Sequence, residues 1–178
     1  MVGPKLVPPW KPPPPGWFKV NFDVAVRQDF SVLAVVVRNG YKVVHVATEL
    51  KGAMAPLLAE SCAAVFAIKQ AQSLGCSQVI FEGDSSIVCE AFAPTPSDPD
   101  WAIEHVLLEG HELLENVFLF WSFNWVLRNA NVCAHNLAQW AAFSFVFGTV
   151  PVEDLPRFVL EGCFQQASPT SVCFSAVQ

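Results

Sequence analysis

Apolar and polar side chains alternate over residues 17–50 in a way that predicts three β-strands. In WFKVNFDVA, Phe18 and every second residue after it up to position 22 are apolar, with polar residues between them. A period of two is typical of a strand with one polar face. The β-branched run FSVLAVVVRNG ends in Asn39-Gly40, a dipeptide that favours a hairpin turn. YKVVHVATEL then returns as a third strand, so this region predicts an antiparallel meander.

Helices and strands alternate after the meander. Pro56 opens the alanine-rich helix PLLAESCAAVFAIKQAQSLG, and Gly75 ends it. A short buried strand at residues 79–81 leads into a turn, where Asp84 or Ser85 can cap the next helix, IVCEAFA.

An acidic amphipathic helix, an aromatic strand and a final helix complete the pattern. They read WAIEHVLLEGHELLEN, VFLFWSFNWVLR and NVCAHNLAQWAAFSFVFG, and the final helix is predicted to end at Gly148. The order β-β-β-α-β-α-α-β-α predicts an α/β fold, in which helices pack on a five-stranded mixed sheet.

Both ends of the chain lack these periodicities. Seven of the first fifteen residues are proline, so residues 1–16 are predicted to form an extended leader or linker. We favour a spacer over a proline-rich ligand for this segment. Residues 151–178 are expected to form a tail, and residues 17–150 a single domain.

Composition excludes several classes of protein. Hydrophobic residues make up 53% of the 178 residues and the mean hydropathy is +0.39, which is incompatible with a disordered chain. The longest apolar stretches are well short of the ~20 residues that a membrane-spanning helix needs. Because no basic segment followed by an apolar one comes after Met1, we expect an intracellular protein, either cytoplasmic or nuclear.

Charge and cysteine content add expectations about nucleic-acid binding and about the redox state of the thiols. The net charge is -6, and residues 82–115 contain nine acids without a Lys or Arg, so any binding to nucleic acid should be weak. The six cysteines show no CxxC pair and no zinc-site spacing, which favours reduced, buried thiols.

Three acids stand beside hydrophobic sequence on three separate elements, namely Asp23, Glu60 and Asp84. Converging carboxylates repel each other, and a divalent cation such as Mg²⁺ relieves that repulsion. Two such ions can activate a water and stabilise the leaving oxygen of a phosphodiester. Each acid alone also has a simpler explanation. Asp84 can be a helix N-cap, Glu60 a first-turn acid that favours the helix dipole, and Asp23 a solvated residue.

Four sequence blocks occur in the order of a known family. WKPPPPGWFKVNFDVA, LLAESCAAVFAIKQAQSLG, VIFEGDSSIV and WVLRNANVCAHNLAQWA together resemble the plant reverse-transcriptase-like, retrotransposon-type branch of the ribonuclease H family. The resemblance covers roughly residues 10–150. It implies a ribonuclease H-like fold, in which the first three strands are antiparallel and parallel strands follow.

The resemblance also implies an activity, the metal-dependent endonucleolytic hydrolysis of RNA in RNA–DNA hybrids with Mg²⁺ or Mn²⁺ at a two-metal site. The metal-binding acids fall on Asp23, Glu60 and Asp84, and the fourth catalytic position falls on His135. An imidazole there suits Mn²⁺ or Zn²⁺ better than Mg²⁺, unless His135 is simply hydrogen-bonded at the sheet edge. The positions expected to contact nucleic acid are Asn21, Ser85, Arg128 and Asn131.

A second function stays open beside the enzyme. His135, the acidic charge and Val24, which stands where the family has glycine, favour a catalytically degenerate module of retroelement origin with a binding or structural role. In either case we expect weak binding to a hybrid or other nucleic acid, no membrane and no small-molecule cofactor. The chain is expected to be a monomer or part of a larger polyprotein.

Overall fold

A six-stranded mixed sheet in the order β5-β4-β1-β2-β3-β6 forms the centre of the molecule. The computed structural model describes residues 10–95 and 100–165. The first three strands are antiparallel neighbours, and β4 and β5 run parallel to β1, which confirms the predicted fold class with one more strand. The strands are β1 (Phe18–Val26), β2 (Phe30–Asn39), β3 (Lys42–Gly52), β4 (Gln78–Gly83), β5 (Phe120–Trp125) and β6 (Gly148–Thr149).

Helices cover both faces of the sheet. They are α1 (Pro56–Ser73), α2 (Ser86–Ala91), α3 (Glu104–Val117), α4 (Val132–Ser144) and α5 (Arg157–Gln165). Alternate residues of β1 and β2 face opposite sides, so Phe22 and Val35 pack in the core under α1 and α3, while Ala25 and Val36 pack in the core under α4 and α5. Within the described residues, no helix is long and apolar enough to cross a membrane.

The end of the chain differs from the sequence prediction. Helix α4 stops at Ser144 instead of Gly148, because Phe145 adopts a left-handed backbone conformation with φ 54°. Gly148–Thr149 then pairs with β3. Helix α5 lies in the predicted tail, yet Val159 is fully buried against the second core, so residues 157–165 are folded. Residues 166–178 lie outside the described residues, and the domain boundaries themselves remain a prediction.

The prediction of reduced thiols is wrong for one pair of cysteines. Cys133 of α4 and Cys163 of α5 are disulfide-bonded, with their Cα atoms 4.8 Å apart. The pairing depends on α5, a helix that the sequence pattern did not reveal. The thiols of Cys62, Cys76 and Cys89 are free, as expected, and Cys173 lies outside the described residues.

Candidate metal and active site

Two of the three predicted acids come from neighbouring strands. Asp23 lies on β1, and Asp84 directly follows β4. These strands are parallel neighbours in which Asn21 stands opposite Glu82. Asp23 and Asp84, each two residues further along, therefore reach the same end of the sheet, outside the carboxyl ends of parallel strands where ligands commonly bind. Glu60 reaches the same place from α1, which packs on β1.

The structure brings the three predicted carboxylates together. One carboxylate oxygen each from Asp23, Glu60 and Asp84 lies within 4.8 Å of the other two, and we call these three residues the carboxylate site. Burial, followed by the negative charges of Asp23 and Asp84, raises the pKa of Glu60 to about 8, although Arg128 opposes the shift. In the metal-free protein, Glu60 is therefore mostly protonated at neutral pH.

The simpler explanations of the three acids fail. Asp23 has 1% of its surface exposed, so it is not solvated on an open sheet face. Glu60 is the fifth residue of α1, whose first turn holds no acid, so a helix-dipole role does not account for it. The N-cap of α2 is Ser85, whose hydroxyl accepts a hydrogen bond from Val88 N at 3.5 Å, and Asp84 is left for another role.

Two residues hold Asp84, namely Trp125 at the end of β5 and Arg128 three residues beyond it. Arg128 Nε donates to Asp84 Oδ2 at 2.9 Å, and Trp125 Nε1 donates to the Asp84 carbonyl oxygen at 3.2 Å. Burial and then the charge of Asp23 raise the pKa of Asp84, while the Arg128 ion pair opposes this shift. Trp125 was not among the predicted residues, although an aromatic residue beside a lone arginine in NWVLR was a signal in the sequence.

His135 joins the same site. Its Nδ1 lies 2.9 Å from Asp23 Oδ2, and the other oxygen of Asp23 accepts a hydrogen bond from Val24 N at 2.8 Å. The side chain of His135 is 26% exposed. His135 is thus hydrogen-bonded to Asp23 beside the carboxylate site, as the second interpretation of this residue predicts.

Two residues predicted to contact nucleic acid are placed differently. Asn21 and Asn131 have no exposed surface. Asn21 Nδ2 donates to Asn131 Oδ1 at 3.2 Å and to Glu82 Oε2 at 3.1 Å, while Asn131 Nδ2 donates to the Phe22 carbonyl at 2.9 Å. Their amides hold β1, β4 and α4 together and are covered by protein, which corrects the prediction of direct contact.

The donor set of the carboxylate site fits a divalent cation. Within the described residues, Glu60 Oε2 is buried and has no hydrogen-bond partner. A buried oxygen without a partner is costly, and a cation among three carboxylates removes both that cost and the mutual repulsion. All three side chains offer carboxylate oxygens, the atoms that Mg²⁺ prefers and that also suit Mn²⁺.

Comparisons with known proteins agree with this geometry. The sequence profile of a family described as reverse transcriptase-like matches residues 21–141. No curated protein matches the chain in sequence.

Solved structures with this fold include three of different origin. RNase H1 from the halophilic archaeon Halobacterium salinarum is 24% identical with a TM-score of 0.66, and the match covers 73% of this chain and 99% of that one. LC11-RNase H1 in complex with an RNA/DNA hybrid is 15% identical with a TM-score of 0.65, covering 72% and 98%. The prototype foamy virus protease-reverse transcriptase is 16% identical with a TM-score of 0.53, covering 71% of this chain and 20% of that one.

Proposed function

The chain belongs to the reverse transcriptase-like family, and we propose that it is a metal-dependent endonuclease that hydrolyses the RNA strand of RNA–DNA hybrids. The observation that carries this proposal is the carboxylate site, whose three oxygens from separate elements lie within 4.8 Å of one another. The fold shared with RNase H1 proteins, one of them in complex with a hybrid, supports the choice of substrate.

The residues of the carboxylate site would hold Mg²⁺ or Mn²⁺. When bound, these ions activate a water and stabilise the leaving oxygen of a phosphodiester. Asp23 is fixed by bonds to both of its oxygens, and each oxygen keeps a further lone pair for a cation. Glu60 must lose its proton to become a ligand, because burial and its two acidic neighbours hold its pKa at about 8.

The nitrogen of His135 makes this site different from one built on four carboxylates. An imidazole carries no negative charge in either protonation state, so the site has at least one negative charge fewer than it would with an acid at that position. Nitrogen ligands favour Mn²⁺ over Mg²⁺. We therefore infer that Mn²⁺ supports faster cleavage than Mg²⁺.

Substrate contacts are proposed for the residues around Asp84. Arg128 is paired with Asp84, and 65% of its side chain is exposed, so the guanidinium can also reach a phosphate. Trp125 is 52% exposed, and its indole N–H bond to the Asp84 carbonyl holds the ring beside the site, where it can pack against a sugar or a base. Ser85 follows Asp84 in the chain, and its hydroxyl caps α2.

The proposal is tested by cleavage of a labelled RNA–DNA hybrid in Mg²⁺ and in Mn²⁺. We expect cuts in the RNA strand only, dependent on the metal, and lost in Asp84→Asn. A duplex of the same sequence in which both strands are DNA serves as the substrate control. The proposed endonuclease activity is contradicted if neither metal supports cleavage at pH values above the pKa of Glu60.

A catalytically degenerate binding module is the second candidate. It is favoured by the nitrogen donors that already engage two of the three acids, Arg128 on Asp84 and His135 on Asp23. The Arg128 ion pair neutralises part of the charge that would attract a cation, and the His135 contact occupies one oxygen of Asp23. A module of this kind binds the hybrid without cutting it, so binding measured by fluorescence anisotropy in the absence of cleavage distinguishes the two.

A further inference from the structure

Trp10 lies in the proline-rich leader and is nevertheless buried, with 7% of its surface exposed. Its ring covers two cations of the sheet, with Lys19 Nζ at 5.0 Å and Arg38 Cζ at 4.3 Å from the ring centroid. Tyr41 packs edge-on against it, with the ring centroids 6.3 Å apart. The structure therefore buries Trp10 and Pro13 of the proline-rich leader, while Lys11 and residues 14–16 are exposed.

The two cations belong to a buried charged group. Lys19, Arg38 and Glu82 are 6%, 1% and 5% exposed, and together with Trp10 we call them the Trp10 cluster. Lys19 Nζ makes an ion pair with Glu82 Oε1 at 2.8 Å and donates to the Lys11 carbonyl at 2.6 Å. Trp10 excludes water from this ion pair, which strengthens and orients it.

A chain of hydrogen bonds connects the Trp10 cluster with the carboxylate site. Glu82 uses its second oxygen to accept from Asn21, and Asn21 donates to Asn131. Asn131 in turn donates to the carbonyl of Phe22, the residue before Asp23. The carbonyl oxygen of Asn131 accepts from His135 N at 3.0 Å, so the same residue also fixes the first turn of α4.

We propose that Trp10 is a positioning residue for the carboxylate site, acting through Lys19, Glu82 and the two buried asparagines. Its ring fixes the Lys19–Glu82 ion pair, Glu82 fixes Asn21, and Asn21 fixes Asn131. Asn131 sets the backbone before Asp23 and the start of the helix that carries His135. The inference concerns the geometry of the site and does not rest on the proposed ribonuclease activity.

Three substitutions of Trp10 separate the effect of the aromatic ring from the effect of apolar volume at this position. Trp10→Ala removes the ring, Trp10→Leu keeps an apolar side chain without a π face, and Trp10→Phe keeps the ring over the cations. Within the described residues, Trp10 Nε1 has no hydrogen-bond partner, so Trp10→Phe loses no hydrogen bond. Leu114→Ala is the control, because Leu114 is a fully buried residue of α3 in the core that contains Phe22, on the opposite face of the sheet from Lys19.

The readouts are the affinity for Mn²⁺ alone, measured by calorimetry, and the side-chain amide signals of Asn21 and Asn131 in metal-free NMR spectra. We expect Trp10→Ala to weaken Mn²⁺ binding about tenfold and to shift and broaden both amides, since residues that orient metal ligands commonly affect affinity by this amount. The Mn²⁺ affinity of Trp10→Leu should lie between those of Trp10→Ala and wild type, and Trp10→Phe should keep most of the wild-type affinity. Leu114→Ala should lower the Tm while Mn²⁺ affinity and both amide signals stay at wild-type values.

The inference is overturned if Trp10→Ala keeps the wild-type amide signals and the wild-type Mn²⁺ affinity. It is also overturned if Leu114→Ala loses as much Mn²⁺ affinity as Trp10→Ala does. If Trp10→Ala does not fold, the comparison of Trp10→Leu with Trp10→Phe decides, and equal values for these two also overturn it. Neither readout requires cleavage. A wild-type protein that binds Mn²⁺ but leaves the hybrid intact contradicts the proposed function and leaves the role of Trp10 standing.

Discussion

Two polar clusters each include a residue of β1, Lys19 in one and Asp23 in the other, and they differ in how well their charges are matched. In the Trp10 cluster, the carboxylate of Glu82 lies between an amide donor and Lys19, and an aromatic ring covers that lysine. In the carboxylate site, three acids lie within 4.8 Å, and one buried oxygen of Glu60 has no hydrogen-bond partner among the described residues.

This difference separates a structural polar cluster from a functional one. In the Trp10 cluster the protein itself supplies the opposite charge, since Lys19 pairs with Glu82, and a buried charge is tolerated in a fold when it is paired in this way. The carboxylate site instead concentrates negative charge that destabilises the domain until a cation neutralises it. The same substitution, a glutamate to glutamine, should consequently have opposite effects in the two clusters.

The largest expected effect is on activity, in the carboxylate site. Asp84→Asn keeps the shape of the side chain and removes a proposed metal ligand, so we expect cleavage of the hybrid to fall at least about 100-fold, which corresponds to ~3 kcal/mol. The single-turnover cleavage rate in Mn²⁺ measures it. Asp29→Asn, an exposed position on the same domain, should cleave at the wild-type rate. A rate within a factor of about three of wild type in Asp84→Asn places the reaction elsewhere.

The next effect is on stability, in the Trp10 cluster. Glu82→Gln leaves Lys19 buried without its counter-charge, and we expect the free energy of unfolding to fall by about 3 kcal/mol. Urea unfolding measures it. The matched control is Glu109→Gln, whose partner Lys69 is half exposed, because exposed ion pairs contribute only about 0–1 kcal/mol. Equal losses in both variants contradict a special role for the buried pair.

The corresponding change in the carboxylate site should stabilise the metal-free protein at high pH. The folded-state pKa of Glu60 is about 8 and its ordinary value 4.5, so between these values the folded state binds more protons than the unfolded state. The stabilisation from protonated Glu60 is full below pH 4.5 and is lost as the pH rises through about 8.

Glu60→Gln stays neutral at every pH. We expect it to match wild type near pH 5 and to exceed it above pH 8 by on the order of 3 kcal/mol, in thermal unfolding with EDTA. Glu115→Gln, at an exposed position of α3, should follow the wild-type pH profile. Parallel pH profiles of wild type and Glu60→Gln contradict the burial of a protonated glutamate.

Much of this comparison could be predicted from the sequence. The strands and helices follow local periodicity, and the resemblance placed Asp23, Glu60 and Asp84 in one site because their blocks occur in the family order. Chemistry supplied the rest of that prediction, since three acids in apolar surroundings need a counter-charge.

The parts that could not be predicted depend on contacts between distant residues. Asn21 and Asn131 are 110 positions apart, and no local pattern shows that their amides bond each other instead of facing a ligand. Trp10 stands among prolines, whose composition indicates a linker, and only the cations of β1 and β2 explain its burial. Helix α4 ends early at a left-handed phenylalanine, although such a conformation favours glycine.

A smaller effect is expected from restoring an oxygen ligand in the carboxylate site. His135→Asp adds a carboxylate beside Asp23, and we expect Mg²⁺ to bind and support cleavage about tenfold better, with a smaller gain in Mn²⁺. Calorimetry with Mg²⁺ and the cleavage rate measure it. His111→Asp changes a histidine that is bonded to the Ala91 carbonyl away from the site, and it should leave both values unchanged. Unchanged Mg²⁺ affinity in His135→Asp removes His135 from the metal-binding residues.

The smallest effect concerns the salt dependence of nucleic-acid binding. A net charge of -6 and few cations near the site predict a shallow slope of log affinity against log salt concentration. Arg128 is the exposed cation beside Asp84, so Arg128→Gln should weaken hybrid binding a few-fold and reduce the slope by about one. Arg157→Gln is the control, since Arg157 is exposed on α5 and pairs with Glu161 within that helix. Fluorescence anisotropy with Asp84 intact and the metal removed by EDTA measures binding without cleavage. An unchanged slope in Arg128→Gln excludes a phosphate contact there, and a steep slope in wild type shows that cations elsewhere on the chain bind the hybrid.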